Sequence, residues 1–265
     1  MSLVYFKTLI KRNWLLLVIF IAVLTMYMSV MISMYDPEDM EALTAMAKML
    51  PPEMMNAMGF SSLVTDLTGF IASWLYGLLM FGFPLVYCII LGNRLVAKMV
   101  DNSSFAYLLS TPNSRIKLIV TSGVYALSSL FILFSSLFLI GVAISEMTFP
   151  GLLDVGAFLS LNITTMLVNM TVMMISFFFS CVFNETRLSL SFGAGIPILF
   201  LLMNMLGGVT TDMNLLKSVS IYGFYDPVEL VQGADILLTN LGYVAVSLAL
   251  LAAGVFIFNR KRLPL

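Results

Sequence analysis

The chain has 265 residues, of which 60% are hydrophobic and 10% are charged, and its formal net charge is −1. This composition lies far outside the range of soluble globular domains and predicts an integral membrane protein. The small net charge argues against a nucleic-acid partner, and the absence of histidine excludes His-based catalysis and His metal ligation.

The first predicted span covers residues 14–34 and follows the basic residues Lys7, Lys11 and Arg12. Its 21 residues suffice to cross a hydrocarbon core of about 30 Å. The run is too long for a signal-peptide core and no small-residue cleavage site follows it, so we expect it to remain in the mature chain.

An acidic segment follows at residues 35–66, where Lys48 is the single cation. This excess of carboxylates places the segment outside the cytoplasm. Four apolar residues in it recur at helical spacing before Pro51 and Pro52: Met40, Leu43, Ala47 and Leu50. The pattern predicts a short helix on the outer membrane surface.

The second predicted span, residues 67–91, leads into the polar segment 100–115, which the charge pattern places on the cytoplasmic side. Residues 101–104 offer oxygen atoms that cap a helix N-terminus, and Pro112 prevents a helix from continuing past residue 110 or 111. Three apolar residues lie between them at helical spacing: Phe105, Leu108 and Leu109. We expect a short amphipathic helix at the membrane surface, which on these residues alone is a connector between two spans.

Four further spans are predicted at residues 116–144, 155–183, 188–206 and 237–258. The fifth contains Gly193, Gly195 and Pro197, which kink buried helices. Between the fifth and sixth spans the chain is too polar to cross a membrane. Its short apolar faces at 213–219 and 227–231 predict outer or re-entrant helices.

The basic residues assign an orientation to these six spans, because short loops rich in Lys and Arg stay in the cytoplasm. Only two basic residues fall outside, Lys48 and Lys217. The other eleven lie in loops or termini on one side: Lys7, Lys11, Arg12, Arg94, Lys98, Arg115, Lys117, Arg187, Arg260, Lys261 and Arg262. The sequence therefore predicts that both termini are cytoplasmic.

Two helix faces stand out within the spans. The fourth span carries a stripe that is polar except for Met173 and recurs at intervals of three or four residues: Asn162, Thr165, Asn169, Met173, Ser176 and Ser180. Hydrogen bonding between helices is the preferred interpretation, and a substrate path is the alternative. The sixth span carries a seam of small residues, which favours close packing against another helix: Gly242, Ala245, Ala249 and Ala253.

The sulfur-containing residues do not indicate a metal site. Cys88 and Cys181 both lie in apolar runs, so we expect buried thiols and no disulfide. The 21 methionines could in principle bind copper(I). Because they are spread through spans and loops alike, we interpret them as packing residues.

The segment between the second and third spans resembles a motif of type-2 ATP-binding-cassette permeases, in which an acid and a Gly-Thr or Gly-Ser pair precede Leu-Leu-x-x-Pro-x-x-Arg. The matching residues are Asp101, Ser104, Leu108, Leu109, Pro112 and Arg115. Ser103 stands where the family usually has glycine. The closing Phe258 followed by basic residues is also similar to the family's C-terminus, although Arg262 stands where Asp is common.

The resemblance implies that the segment is a coupling helix, seated in a groove of a separate ATPase subunit that binds ATP and Mg²⁺. Asp101, Ser104, Phe105, Leu108, Leu109, Pro112 and Arg115 are then the expected interface residues. A second permease subunit and membrane lipids are the other expected partners. The chain itself has no Walker-type phosphate loop and needs no cofactor of its own.

The sequence thus predicts one all-α permease domain with six membrane-spanning helices, a coupling helix and short outer or re-entrant helices. It is expected in a prokaryotic plasma membrane as half of an exporter pathway, without enzymatic activity of its own. The alternative is a non-transporting immunity or sensor subunit that docks on a membrane complex.

Overall fold

The computed structural model describes residues 1–36, 54, 66–110, 113–207 and 214–261. In this part of the chain the regular elements are helices, and six of them are long and apolar enough to cross a membrane. The predicted all-α, six-span fold is therefore confirmed. In chain order the helices are α1 (Leu3–Ser33), α2 (Leu67–Ile71), α3 (Leu79–Leu95), α4 (Ala97–Asp101), α5 (Ser104–Leu109), α6 (Arg115–Thr148), α7 (Val155–Val182), α8 (Thr186–Gly207), α9 (Asn214–Val219), α10 (Pro227–Val231) and α11 (Leu237–Arg260).

Helix α1 begins at Leu3, well before the apolar run at residue 14. Residues 3–33 contain neither proline nor glycine, so nothing stops the helix in its basic first half. The N-terminal end packs on α6, where the Ser2 amide donates to Thr121 Oγ1 at 2.9 Å.

The second predicted span differs from a single continuous helix. A π-helical turn at Ala72–Tyr76 follows α2, and the backbone then bends at Leu78 (φ −137°, ψ −45°) before α3 begins. Residues 67–76 are buried along almost their whole length. Hydropathy does not register this bend, because the run stays apolar on both sides of it. The membrane-crossing part is Leu79–Asp101, which joins α3 and α4.

Helix α7 lies at the centre of the bundle and packs against α3, α6, α8 and α11. Asp154 caps its N-terminus by accepting from the amides of Gly156 and Ala157. Gly92 of α3 allows a very close approach, since a Cβ atom there would lie 2.8 Å from Ser176 Cβ. The central position of α7 brings its polar side chains close to four neighbouring helices.

The bundle has two chemically different ends. At one end Arg12 of α1 contacts Met99, Arg115 of α6 contacts the C-terminal segment, and α8 begins next to Asp101. These are the residues that the charge pattern assigned to one side. At the other end the Asp154 amide donates to Thr68 Oγ1 at 2.9 Å.

The short helices α9 and α10 occupy the positions predicted for them at 213–219 and 227–231. Helix α9 packs on α8, whereas α10 packs on α7 and on the π-helical turn. The helix predicted on Met40 to Leu50 lies outside the described residues, and so does Pro112.

Candidate functional site

The segment that resembles a coupling helix connects α3 to α6 and consists of α4 and α5. The backbone turns at Val96 (φ −132°, ψ −69°), where α3 ends and α4 begins. At this turn the Ala97 amide donates to Ser180 Oγ of α7, at 2.7 Å, instead of to a carbonyl of α3. Helix α4 is thereby fixed to the central helix of the bundle.

Ser103 forms the turn between α4 and α5. Its φ of 56° is the only positive value at a non-glycine residue in the described ranges. A left-handed conformation costs an L-amino acid about 1–2 kcal/mol, whereas glycine adopts it freely. Ser103, at the position where the resembling motif usually has glycine, thus adopts a conformation that glycine would adopt at lower cost. The Ser104 amide following this turn donates to Asn102 Oδ1 at 3.1 Å.

The apolar face of α5 is turned toward the protein's own interior. Phe105 is fully buried and packs edge-on against Phe258 of α11, with ring centroids 5.1 Å apart. Leu108 and Leu109 are partly buried and pack against the core. These three expected interface residues thus contact the bundle of this chain, and Phe105 is the one that it buries completely.

The exposed aromatic residue of α5 is Tyr107, whose side chain is 80% exposed. Ser103 and Ser110 are exposed on either side of it. The sequence did not single out Tyr107, because the family motif leaves this position unspecified. The outward surface of the segment is thus one tyrosine flanked by small polar residues.

Two hydrogen bonds join this segment to neighbouring helix ends, and a third continues from one of them. Asp101 Oδ2 accepts from the Thr186 amide at the start of α8 at 3.3 Å. Arg115 Nη1 donates to the Lys261 carbonyl oxygen at the end of α11 at 3.0 Å. Lys261 Nζ in turn donates to the Cys181 carbonyl oxygen at the end of α7, also at 3.0 Å. The segment therefore contacts the start of α8 and the end of α11, and Lys261 links it to the end of α7.

Lys261 is half-buried in this arrangement. Burial penalises its charged form and lowers the pKa of its amine from 10.5 to about 8. The contact with a helix C-terminus, where carbonyl oxygens lack backbone donors, gives the amine a hydrogen-bond acceptor. The sequence signal for this residue was only its place in a terminal basic cluster.

The polar stripe of α7 is hydrogen-bonded to other helices along its length. Asn162 Nδ2 donates to Tyr76 Oη at 2.9 Å, and Thr165 Oγ1 lies 2.9 Å from Tyr225 Oη. Ser180 accepts from the Ala97 amide, as described above. The stripe is buried throughout. This geometry supports the helix-to-helix interpretation over a solvent-lined path.

The remaining two polar residues of the stripe compensate for prolines in neighbouring helices. Pro84 in α3 lacks an N–H group, which leaves the carbonyl of Met80 without its regular i+4 donor. Asn169 Nδ2 donates to that carbonyl oxygen at 3.3 Å. Pro197 in α8 likewise leaves the carbonyl of Gly193 without its regular backbone N–H donor. Ser176 Oγ donates to that carbonyl oxygen at 2.7 Å.

Most of the small-residue seam of α11 does not pack against the residues that the structure describes. Gly242, Ala245 and Ala249 are exposed, and Ala253 is half-buried. Helix α11 packs on the bundle through a different face, which is formed by Tyr243, Ser247, Gly254 and Phe258. The seam therefore faces away from the described part of the bundle.

The described residues contain no group of three or more His, Cys, Asp or Glu side chains that could hold a metal ion.

Comparison with known proteins gives one family. A family model described as "ABC-2 family transporter protein" matches residues 5–263, which is almost the whole chain. Neither the curated proteins nor the solved structures provide a match.

Proposed function

Because the chain belongs to the ABC-2 family of transporter proteins, we propose that it is the permease subunit of an exporter and forms half of its translocation pathway. A separate ATPase subunit carrying ATP and Mg²⁺ supplies the energy. A second permease subunit, identical or different, completes the pathway. The complex lies in a prokaryotic plasma membrane, with both termini of this chain in the cytoplasm.

The observation that carries this proposal is the family match over residues 5–263. The sequence supports it in two ways. No span has a charged residue at its middle, so the carboxylate relay of a proton-coupled carrier is missing. The chain also lacks a Walker-type loop, so ATP hydrolysis belongs to another subunit.

The surface around Tyr107 is the proposed docking site for the ATPase. Exposed tyrosines are over-represented among residues that dominate binding energy at interfaces. Phe105 and Phe258 join α5 to α11, and Asp101 joins α4 to the start of α8. A force that the ATPase applies to α5 is therefore transmitted directly to two membrane-spanning helices, which is the mechanism we propose for coupling.

Co-purification tests this proposal. The chain is expressed from its native locus with an affinity tag, and the captured proteins are assayed for an ATPase and for ATP hydrolysis. Tyr107→Ala is expected to weaken ATPase capture about thirtyfold, which corresponds to the roughly 2 kcal/mol of an interface hot spot.

Phe224→Ala is the matched control, because Phe224 is another exposed aromatic side chain (61% exposed) but lies between α9 and α10, away from the docking surface. It is expected to leave capture unchanged. Wild-type chain that captures no ATPase would contradict the permease proposal and favour a non-transporting subunit. Equal capture by wild type and Tyr107→Ala would remove Tyr107 from the interface.

A further inference from the structure

An apolar groove with a volume of about 500 Å³ runs between the first turns of α6 and the second half of α11. Ile116 and Val120 form one wall, and Leu248, Leu251 and Val255 form the other. From Leu248 to Asn259 the groove follows twelve residues of helix, which rise by about 16 Å. This length is close to half of a hydrocarbon core about 30 Å thick, which is the depth of one leaflet.

Positive charge lies at the end of the groove where α6 begins and α11 ends. The Arg260 guanidinium carbon is 4.2 Å from the ring centroid of Phe256, which is itself a wall residue. Lys117 follows the wall residue Ile116 and is exposed. The amide of Asn259 also borders this end.

No carboxylate neutralises these cations in the ranges that the structure describes. The one ion pair found there joins Lys217 to Asp226, at the other end of the bundle. Asp101, a carboxylate on the same side, accepts from the Thr186 amide instead. Arg260 and Lys117 therefore present net positive charge directly above an apolar channel.

We propose that this groove is a binding site for an anionic phospholipid. One acyl chain lies along the apolar walls, and the phosphate contacts Arg260 and Lys117, with Asn259 as an additional hydrogen-bond donor. Basic pockets between membrane helices bind anionic head groups in this way, because each cation near the surface favours a negative lipid. This site requires neither the ATPase nor a transport substrate, so it stands apart from the proposed function.

Two occupants could fill the groove: a lipid, or a helix from a second copy of the chain. The positive charge at the end of the groove favours the lipid. A copy of α11 in the groove would bring its own Arg260 and Lys261 close to the cations already there, and like charges repel. An anionic lipid supplies the opposite charge.

Quenching of tryptophan fluorescence by brominated lipids tests the proposal. Trp14 and Trp74 are replaced by Phe, and Leu248→Trp places a reporter in the groove. The full-length chain is reconstituted in vesicles of phosphatidylcholine and phosphatidylglycerol, with bromine on the acyl chains of one lipid at a time. Phosphatidylglycerol is expected to associate with the groove about fivefold or more in preference to phosphatidylcholine, given the contribution of each nearby cation.

Leu199→Trp on α8 is the control reporter, because Leu199 and Leu248 are similarly exposed at 53% and 56%, and Leu199 lies outside the groove. It is expected to show no preference between the lipids. Arg260→Gln combined with Lys117→Gln should abolish the preference at Leu248→Trp while quenching by brominated phosphatidylcholine persists, which shows that the groove is intact.

Two results would overturn the proposal. Equal quenching by both lipids at Leu248→Trp means that the cations select no head group. Quenching by both lipids far below that at Leu199→Trp means that protein, such as a second copy of the chain, covers the groove.

Discussion

Ser103 shows how one residue sets the direction of the proposed docking segment. Its left-handed backbone separates α4 from α5 and directs Phe105 toward Phe258. Without this turn the two short helices would tend to continue as one, and Phe105 would leave the core. The left-handed backbone is unfavourable for a residue with a side chain, but it gives α5 the direction that buries Phe105.

Replacing Ser103 with glycine is expected to raise thermal stability, by up to about 1 kcal/mol, because glycine adopts a positive φ without steric cost. Ser103→Val should lower stability by more than this, since a β-branched residue is poorly tolerated there. Thermal unfolding of the purified chain in detergent measures both. If glycine and valine have the same effect, the left-handed turn is not what positions α5.

Lys261 gives the C-terminal contact a pH dependence. Its folded pKa of about 8 lies below the unfolded value of 10.5. Between these values the unfolded chain binds more protons, so this group makes the protein more stable as pH rises through the window. Below pH 8 the amine is charged in both states and its burial is at its most unfavourable.

We expect the thermal-unfolding midpoint of wild type, relative to that of Lys261→Gln, to increase as pH rises from about 8 to about 10.5. Taking the difference between the two proteins removes the contribution of their other titrating groups. A difference that stays flat across this window would show that Lys261 is not buried as the structure places it.

At the scale of elements, α7 stabilises helices that proline would otherwise weaken. A transmembrane helix that loses a backbone hydrogen bond to proline has no water in the hydrocarbon core to replace it. Asn169 and Ser176 provide the missing donors for α3 and α8, respectively. The prolines and the polar stripe therefore form one structural feature, in which bent helices are matched to a polar central helix.

Asn169→Leu is expected to destabilise the fold by about 1–3 kcal/mol, because it leaves the Met80 carbonyl without a donor in an apolar interior. Pro84→Ala in the same chain restores a backbone N–H at the position that can reach this carbonyl. The double variant should therefore recover part of the lost stability in a thermal-unfolding assay.

Ser160→Ala is the control for the Asn169 experiment, since Ser160 is a partly exposed residue of α7 whose hydroxyl donates to the Gly156 carbonyl oxygen within its own helix. It should change stability little. If Asn169→Leu is as stable as wild type, or if Pro84→Ala gives no recovery, the amide does not serve the proline-interrupted helix.

The sequence predicted these elements better than it predicted their contacts. The 3.6-residue period placed Asn162 to Ser180 on one face of α7, and that face is buried. Capping residues and Pro112 located α5, whereas short apolar faces located α9 and α10. Periodicity defines an apolar face but not what covers it, so the inward direction of Phe105 could not be predicted. The bend at Leu78 could not be predicted from hydropathy, because the residues on both sides of it are equally apolar. Pairing between Asn169 and Met80 depends on helices that are distant in the chain.

At the scale of the whole molecule, α3 and α7 are mostly buried, whereas α1, α8 and α11 expose most of their surface. A membrane protein can cover such surfaces with lipid or with other subunits. The exposed seam of α11 and the lipid groove next to it are therefore parts of one outer surface, which neighbours of different chemistry would share.

The exposure of individual residues at the two ends of the bundle determines which positions can test the membrane orientation by cysteine labelling. Cys88 and Cys181 are both fully buried, so they contribute little background to thiol labelling and can be replaced by Ala. Ser2 is a poor reporter for the cytoplasmic side, because it is only 8% exposed. Ser110 is exposed next to the proposed docking surface. Met147 is 85% exposed and lies in the last turn of α6, at the opposite end of the bundle.

In intact cells, an impermeant thiol reagent is expected to label Met147→Cys and to leave Ser110→Cys unlabelled until the membrane is permeabilised. The reason is the distribution of cations, because Arg115, Lys117 and Arg260 all lie at the Ser110 end, and such residues are retained in the cytoplasm. Equal labelling after permeabilisation is the control for accessibility of both thiols. The reverse pattern in intact cells would place the Tyr107 surface outside, where no cytoplasmic ATPase could reach it, and would refute the coupling mechanism together with the orientation.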